Sequence, residues 1–513
     1  MSDHDRPGLW DLGGAEPGDW TPAEFERHGT DLLAMLRAHF ESVRDVPVTV
    51  PRASAELMAD LRAPVPEDGE DFDRILADTR ERVVPHVVHW NHPSFHGYFS
   101  NSASFPGILA DTFTSALNVN AMLWKSGPAA SALERVVNGW IAELVGYPED
   151  ADSVLVNGAS LATLYALAAA RDAAFGDTVR LNGTGGLGVL RVYTSDQSHS
   201  SVDKAAITLG FGHANVVKVE HDAHYRMRPD ALAEAIERDV AAGRTPVAVV
   251  ATVGTTSVGA ADPVGPIAEI CAEYGVWLHV DAAYGGFWRL APSLTDLVED
   301  LSVADSLVVN PHKCLYVPLE VTSLLCRRRG ALANTFRLVP EYLTSHQDAE
   351  IVDYMDLSPQ LGRSFRALKL WWVIRSYGRV GLAARLEHSV DLAGRLRVAA
   401  AADPQWYSPI DSVYPLVCLR FEPDWLRADR LLDAATRRAL VQAMNTEIVD
   451  AINASGRAFV SHAVIDDGYV IRVSIGNIHT TAADVERLWR QLTQTAEDVS
   501  HRYAAANALP SAA

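Results

Sequence analysis

At 513 residues and 48% hydrophobic content, the chain can bury a large core, and its length alone suggests about three domain-sized units. A formal net charge of −21 argues against nucleic acid or an anionic membrane surface as partner. Four scattered cysteines (Cys271, Cys314, Cys326, Cys418) include no CxxC pair, so neither a disulfide framework nor a zinc site is indicated, which fits a reducing, cytoplasmic setting. The acidic start, Met1–Gly8, lacks the apolar core of a signal peptide, and no run approaches the ~18 apolar residues that span a bilayer.

In chain order, residues 1–95 carry helical patterning over Ala23–Val43 and Asp71–Val84, broken by the Pro-rich Val46–Pro51 and by Ala63–Asp68. Helices without a strand partner do not easily make a core of their own, so this segment is expected to pack on something else. Residues 96–380 alternate short β-rich runs with helical ones. The predicted strands are Ser153–Val156, Val189–Tyr193, Asn215–Val219, Val247–Thr252, Val276–Val280, Ser306–Asn310 and Thr322–Cys326. Helices are predicted between them at Leu161–Phe175, Pro229–Ala242 and Pro263–Tyr274. Such alternation implies βαβ units: an α/β large domain with a mostly parallel central sheet covered on both faces. Residues 381–513 begin with a helix (Gly381–Ala401). They continue with a run at Val413–Phe421, a helix (Asp429–Ala454), a strand pair (Ala458–Val464, Tyr469–Ile475) and a closing helix (Ala483–Tyr503), which together make a small α+β domain.

Lysine is scarce: the chain has Lys125, Lys204, Lys218, Lys313 and Lys369, and arginine supplies the rest of the 44 basic residues. A partly desolvated lysine can lose its proton and form a Schiff base, which arginine cannot do. Of the five, only Lys313 follows a strand-like run and a proline, where an α/β fold presents catalytic groups. Asp281, closing Val276–Asp281, precedes it by one helix and one strand, which puts both at the same sheet edge. A carboxylate there must be paired, either in a salt bridge or cap, or with a protonated heterocyclic nitrogen. Ala282 and Ala283 are small enough to let a flat ring lie close. Val156-Asn-Gly-Ala-Ser160 opens a helix after a strand. It is either an ordinary N-cap or a phosphate site, with Ala159 and Ser160 allowing close backbone approach. His199, in Asp196–Ser201, and the hydroxyls of Thr252–Thr256 fall at the same edge. Each motif alone is weak. In this order, phosphate turn, ring-facing histidine, ring-nitrogen aspartate and Schiff-base lysine describe one ligand, pyridoxal 5'-phosphate.

With these motifs the chain resembles the group II pyridoxal-phosphate-dependent decarboxylases, whose best-known members are the aromatic-L-amino-acid decarboxylases. The resemblance runs from about Glu24 to about Leu492. It rests on Ser195-Asp-Gln-Ser-His-Ser-Ser201, His279-Val-Asp-Ala-Ala-Tyr284, Asn310-Pro-His-Lys313 and Phe336-Arg-Leu-Val-Pro-Glu-Tyr-Leu343. It implies that Lys313 holds the cofactor, Asp281 pairs with the ring nitrogen, His199 stacks on the ring and Thr256 meets the ring hydroxyl. Ala159, Ser160 and Asn310 would serve the phosphate, Ala283 would lie under the ring, and His312 beside the cofactor. It further implies fold type I and a homodimer with its active site at the interface. The N-terminal segment would pack on the dimer partner, and a loop would carry Tyr342 into the neighbouring site to protonate Cα.

The resemblance places the substrate pocket at Tyr98, Ser100 and Asn101, at Asn120 and Met122 from the partner subunit, and at Gly362. These positions are more polar than in typical aromatic decarboxylases, although buried amides can bond to a phenol or an indole N–H. The expected activity is decarboxylation of an L-amino acid to its amine and CO2, with an aromatic substrate of the Trp, Tyr or Dopa type. The alternatives are a decarboxylase of a polar or specialised amino acid, such as glutamate or 2,4-diaminobutyrate, and a decarboxylation-dependent aldehyde synthase. A fold-type-I aminotransferase or lyase fits less well with the Tyr342 loop and the long N-terminal helical segment. A catalytically silent binding protein would be expected to lack one of Lys313, Asp281, His199 or Tyr342, and all four are present.

Overall fold

The computed structural model describes residues 18–338 and 351–507. The chain forms two compact units, Met1–Val88 and His89–Ala513. Among the described residues no helix is long and apolar enough to cross a membrane.

The first unit is helical. Its helix Pro22–Ser42 starts with a reciprocal cap: the Thr21 side chain accepts from the Glu24 N–H while Glu24 reaches back to the Thr21 backbone. Helix Ser54–Leu61 follows, then Phe72–Asp78, capped by Asp71 and continued by a π-helical turn at Thr79–Val83. Trp20, His28 and Phe72 meet in a small ring cluster with centroids 4.8 Å apart.

The second unit is built on two sheets. The larger contains β2 (Asp152–Val156), β3 (Leu190–Ser195), β4 (Val216–Val219), β5 (Thr245–Thr252), β6 (Trp277–Asp281), β7 (Ser306–Val309) and β8 (Thr322–Cys326). Their order is β2-β8-β7-β6-β5-β3-β4; β8 is antiparallel to both neighbours and every other adjacent pair is parallel. All seven predicted strands are present, each within two residues of its predicted ends. Alternate side chains feed two separate cores. Leu155, Tyr193, Val249, Leu278 and Leu307 lie in one, and Val154, Val192, Val250, Trp277 and Val308 in the other. Burial on both faces explains why these runs are apolar throughout rather than alternating with polar residues. The predicted helices are found at Ala159–Phe175, Pro229–Ala241 and Val264–Tyr274.

The smaller sheet joins β9 (Trp406–Tyr407), β10 (Leu416–Phe421), β11 (Phe459–Ile465) and β12 (Gly468–Ser474) in the order β11-β12-β10-β9. A fifth strand, β1 (Phe95–His96), runs parallel to β11 with Phe95 opposite Phe459. Two residues just before Gly97 carry no periodicity, so β1 was not predicted. The helix expected at Gly381–Ala401 is longer, Ala367–Ala401, and broken where Gly378 adopts φ +62°. The helix expected from Asp429 begins instead at Ala434, because the Asp433 carboxylate caps the N–H groups of Ala435 and Thr436. The closing helix is Ala482–Asn507. Helix Phe105–Leu117, also unpredicted, buries the small residues Gly107, Ala110 and Thr114 and leaves Phe105, Leu109, Phe113 and Leu117 exposed.

Candidate active site

Strands β3, β5, β6 and β7 are consecutive neighbours in the larger sheet, and their C-terminal ends open at one edge. Adjacent strands lie about 4.8 Å apart, so groups just beyond these ends converge. His199 follows β3, Thr256 follows β5, Asp281 ends β6 and Lys313 follows β7. Asp281 faces Thr252 of β5 and Val308 of β7 in register.

Asp281 is buried, and its Oδ1 accepts from the Ala283 N–H at 3.1 Å. Among the described residues no cation stands within salt-bridge distance of it. A buried carboxylate is costly without a positive partner, so the site is incomplete as the chain alone makes it. Lys313 is partly buried, with Nζ 5.2 Å from the centre of the Phe99 ring. Burial depresses the pKa of its amine and the Arg472 cation adds to this, while Asp281 opposes it. His199 accepts from the Ser201 N–H through Nδ1 at 3.1 Å, which leaves Nε2 as the protonated nitrogen of the neutral ring. Burial lowers the His199 pKa, with Asp281 opposing and Lys313 assisting. His199 and Lys313 therefore both feel the Asp281 charge, and Lys313 acts on His199.

The turn after β2 has the form expected for an anion. Gly158, at φ +89°, precedes helix Ala159–Phe175; no side chain caps its first N–H groups, and a Cβ at Gly158 would meet only open space. Free N–H groups and the helix dipole both favour a phosphate there. Ala159 is half-buried and Ser160 exposed beside it. Asn310 is buried and its Oδ1 accepts from the Thr322 hydroxyl at 2.7 Å. His312 is buried with Nδ1 2.7 Å from the Val321 carbonyl, an acceptor that places the ring proton on Nδ1, and burial pushes its pKa down to about 4. Ala283 is buried and Thr256 exposed. Cys314, next to the lysine, donates its thiol to the Tyr284 carbonyl at 3.3 Å.

Three residues of the site were not anticipated. Phe99 stacks on Tyr284 at 3.7 Å, and both Lys313 Nζ, at 5.2 Å, and the Arg472 guanidinium, at 4.5 Å, lie over its ring. Arg472 donates to the Tyr98 carbonyl and to Ser461 Oγ, so it pins the Tyr98–Phe99 backbone to β12. Its signal was a lone cation inside the apolar run Gly468–Ser474. Asp262 is fully buried and accepts from the N–H groups of Thr252 and Met227, both at 2.7 Å, thereby fixing the start of the loop that carries Thr256.

The predicted pocket residues fall into two groups. Tyr98 is exposed; Ser100 is buried with its hydroxyl sealed from solvent, and the Asn101 Oδ1 is sealed as well. Asn120, Met122 and Gly362 form a second group, in which the Asn120–Met122 segment is bonded to Arg363, next to Gly362, and to Met355. The Arg363 N–H donates to Asn120 Oδ1 at 3.0 Å, Ala121 N–H to the Arg363 carbonyl at 2.8 Å, and Met355 N–H to the Met122 carbonyl at 2.9 Å. The other end of the Asn120 amide points at the Met122 sulfur, 3.2 Å away. Tyr342 lies outside the described residues; of its motif, Phe336 closes helix Ala331–Phe336 and packs edge-on against Tyr165 at 5.3 Å.

A lysine, a buried carboxylate with no cation partner among the described residues and an uncapped helix start at the C-terminal edge of a seven-stranded sheet are what a fold-type-I cofactor site calls for. The pyridoxal-dependent decarboxylase conserved domain matches residues 55–422. The chain is 31% identical over 492 residues to phenylacetaldehyde synthase of a Rosa hybrid cultivar, covering 94% of this chain and 96% of that protein. It is 30% identical over 483 residues to tyrosine decarboxylase of Papaver somniferum, covering 91% of this chain and 94% of that protein. The solved structure of Oryza sativa TDC with PLP and tryptamine superposes with a TM-score of 0.89 at 30% identity, covering 94% of this chain and 99% of that one. The chain therefore belongs to the pyridoxal-dependent decarboxylase family, and its cofactor is pyridoxal phosphate. The residues present fit that cofactor: Asp281 lacks the cation that a protonated pyridine nitrogen provides, and the Gly158 turn offers unclaimed N–H groups for the phosphate.

Proposed function

We propose that this protein decarboxylates an aromatic L-amino acid of the Trp, Tyr or Dopa type to the corresponding arylalkylamine. The observation that carries the reading is the convergence of His199, Asp281 and Lys313 on adjacent strand ends, with Asp281 short of a cation. Lys313 would hold the cofactor, and its depressed pKa favours the unprotonated amine that such attachment needs. Asp281 would keep a proton on the ring nitrogen. His199, neutral and fixed through Nδ1, would cover one ring face, with the small Ala283 on the other. Thr256 would bond the ring hydroxyl, the Gly158–Ser160 backbone with Asn310 would bind the phosphate, and His312 would lie alongside. The chemistry the bound cofactor supplies is an electron sink for the pair left at Cα when CO2 departs. The chain's own task is then positional: to hold the Cα–carboxylate bond perpendicular to the ring plane and to return a proton to Cα from Tyr342.

An aromatic substrate is supported by the tyrosine and tryptophan decarboxylases among the relatives. The pocket geometry supports it too. Asn120 Oδ1 is held by the Arg363 N–H and its amide nitrogen points at the Met122 sulfur, so this polar side chain is engaged within the chain. The exposed Tyr98 ring, the Met122 thioether and the open space at Gly362 suit a flat, bulky side chain. The exposed stripe Phe105, Leu109, Phe113 and Leu117, four residues apart on one helix face, supports a homodimer with the active site at its interface. The proposed division is an N-terminal segment, 1–95, that packs on that partner, a large domain, 96–380, and a small domain, 381–513. Four buried free cysteines fit a reducing cytoplasm.

The second reading, an aldehyde synthase, is motivated by the phenylacetaldehyde synthases among the relatives. Incubating the purified protein with a panel of amino acids, while following CO2, amine, aldehyde and hydrogen peroxide together, separates the readings. Amine from Trp, Tyr or Dopa is expected. Amine from acidic or basic substrates alone would overturn the aromatic reading, and aldehyde with peroxide as main products would overturn the role given to Tyr342. Tyr342→Phe is expected to shift products towards aldehyde; an unchanged ratio would remove Tyr342 as the proton donor.

A further inference from the structure

We propose that Arg363 is a positioning residue that ties the phosphate-binding turn after β2 to the Asn120–Met122 segment, so that cofactor affinity and substrate selectivity change together. The proposal rests on the cofactor reading given above.

β2 is an edge strand, so some of its backbone groups have no neighbouring strand to bond. At Leu155 a buried ion pair takes the neighbour's place. Glu134 Oε1 accepts from the Leu155 N–H at 2.9 Å, and Arg363 Nη2 donates to the Leu155 carbonyl at 2.9 Å and to Glu134 Oε1 at 2.6 Å. Both side chains are 1% exposed, and the guanidinium lies 4.9 Å from the Tyr354 ring. Burying a charged pair is often no more stabilising than burying an apolar one of the same size. What the pair supplies is a donor and an acceptor at fixed positions, which an apolar pair lacks. Leu155 stands two residues before Asn157, whose side-chain oxygen accepts from Arg366, and Gly158 follows at once. One arginine, with its neighbour Arg366, therefore sets the backbone from which the phosphate turn springs.

The same residue reaches the other way through its main chain. Its N–H holds Asn120 Oδ1 and its carbonyl holds the Ala121 N–H. Between the Asn120–Met122 segment and the phosphate turn stands Arg363, with its backbone bonded to one and its side chain to the strand that leads to the other. The two N–H groups of Nη2, fixed in the guanidinium plane, serve Glu134 and the Leu155 carbonyl together, and a lysine ammonium ends short of that position.

The test uses the full-length protein stripped of cofactor and titrated with pyridoxal phosphate, with binding read from absorbance. Asn120 is exposed, and among the described residues its side chain bonds to Arg363 and Met122 alone, so Asn120→Ala is expected to fold with an unchanged Tm. The link predicts that Asn120→Ala weakens cofactor binding about three- to tenfold, and that its effect and that of Arg366→Lys are non-additive in the double variant. Arg363→Lys is expected to weaken binding further and to change the kcat/KM ratio between two aromatic substrates in the same sense as Asn120→Ala. Cofactor binding within twofold of wild type in Asn120→Ala, or strict additivity with Arg366→Lys, would overturn the proposal even if Arg363→Lys did not fold. A wild-type protein that failed to bind pyridoxal phosphate would instead strike at the functional reading on which the proposal stands.

Discussion

Replacing Glu134 by Gln is the sharpest stability test the structure offers. The side chain keeps its size and can still accept from the Leu155 N–H, but Arg363 is left as an uncompensated cation with 1% of its side chain exposed. Removing one partner of a buried pair costs about 3–5 kcal/mol. At about 2.1 cal/mol/K of unfolding entropy per residue, over a unit as long as His89–Ala513, this lowers Tm by roughly 3–6 °C. Thermal unfolding of the cofactor-free protein, followed by circular dichroism at a fixed scan rate, measures it. Replacing both partners together, as Glu134→Leu with Arg363→Met, removes the stranded charge and should recover part of the loss, leaving the cost of the unpaired Leu155 groups. A Tm for Glu134→Gln within about 1 °C of wild type would refute the assignment of a buried, mutually dependent pair.

Asp281→Asn removes the charge that holds a proton on the ring nitrogen. Opposite charges about 3 Å apart at an effective dielectric near 20 interact by about 5 kcal/mol at most, so kcat/KM is expected to fall about a thousandfold. Steady-state kinetics checks this, and a loss under tenfold would contradict the pairing. Burial pushes the Asp262 carboxyl up to about 7 against the bonds from Met227 and Thr252, with Asp222 and Asp196 adding to the rise. The folded protein then holds a proton that the unfolded chain has released from about pH 4 upward, so stability falls between about pH 4 and 7, by up to about 4 kcal/mol. Tm measured across this range should show a decline that Asp262→Asn flattens; an identical slope in the variant would count against it.

Much of the large sheet was legible because its strands are buried on both faces and therefore read as unbroken apolar runs bounded by helices. β1 was invisible: two residues give no period, and its partner Phe459 lies far along the chain. Helix Phe105–Leu117 escaped for a different reason. Its buried face is made of Gly107, Ala110 and Thr114 and its bulky residues face out, which inverts the pattern a sequence reading relies on. Lys313, Asp281 and His199 stood out in the sequence because each lies at or just past a strand end, and chain order places strand ends in series. Glu134 and Arg363 are 229 residues apart, and neither stands in a motif, so only the fold brings them together. The sequence also does not tell which polar side chains are already bonded within the chain. Asn120 reads as a hydrogen-bonding group, yet both ends of its amide are engaged.

The central claim is that Lys313 anchors pyridoxal phosphate in a decarboxylase centre. The direct measurement compares wild type with Lys313→Ala after both are loaded with the cofactor and desalted, reading visible absorbance and CO2 release from Trp, Tyr and Dopa. The account predicts a coloured wild type that releases CO2 from at least one of the three, and a variant with neither the wild-type absorbance nor turnover. A variant that kept both the wild-type spectrum and the activity would contradict it.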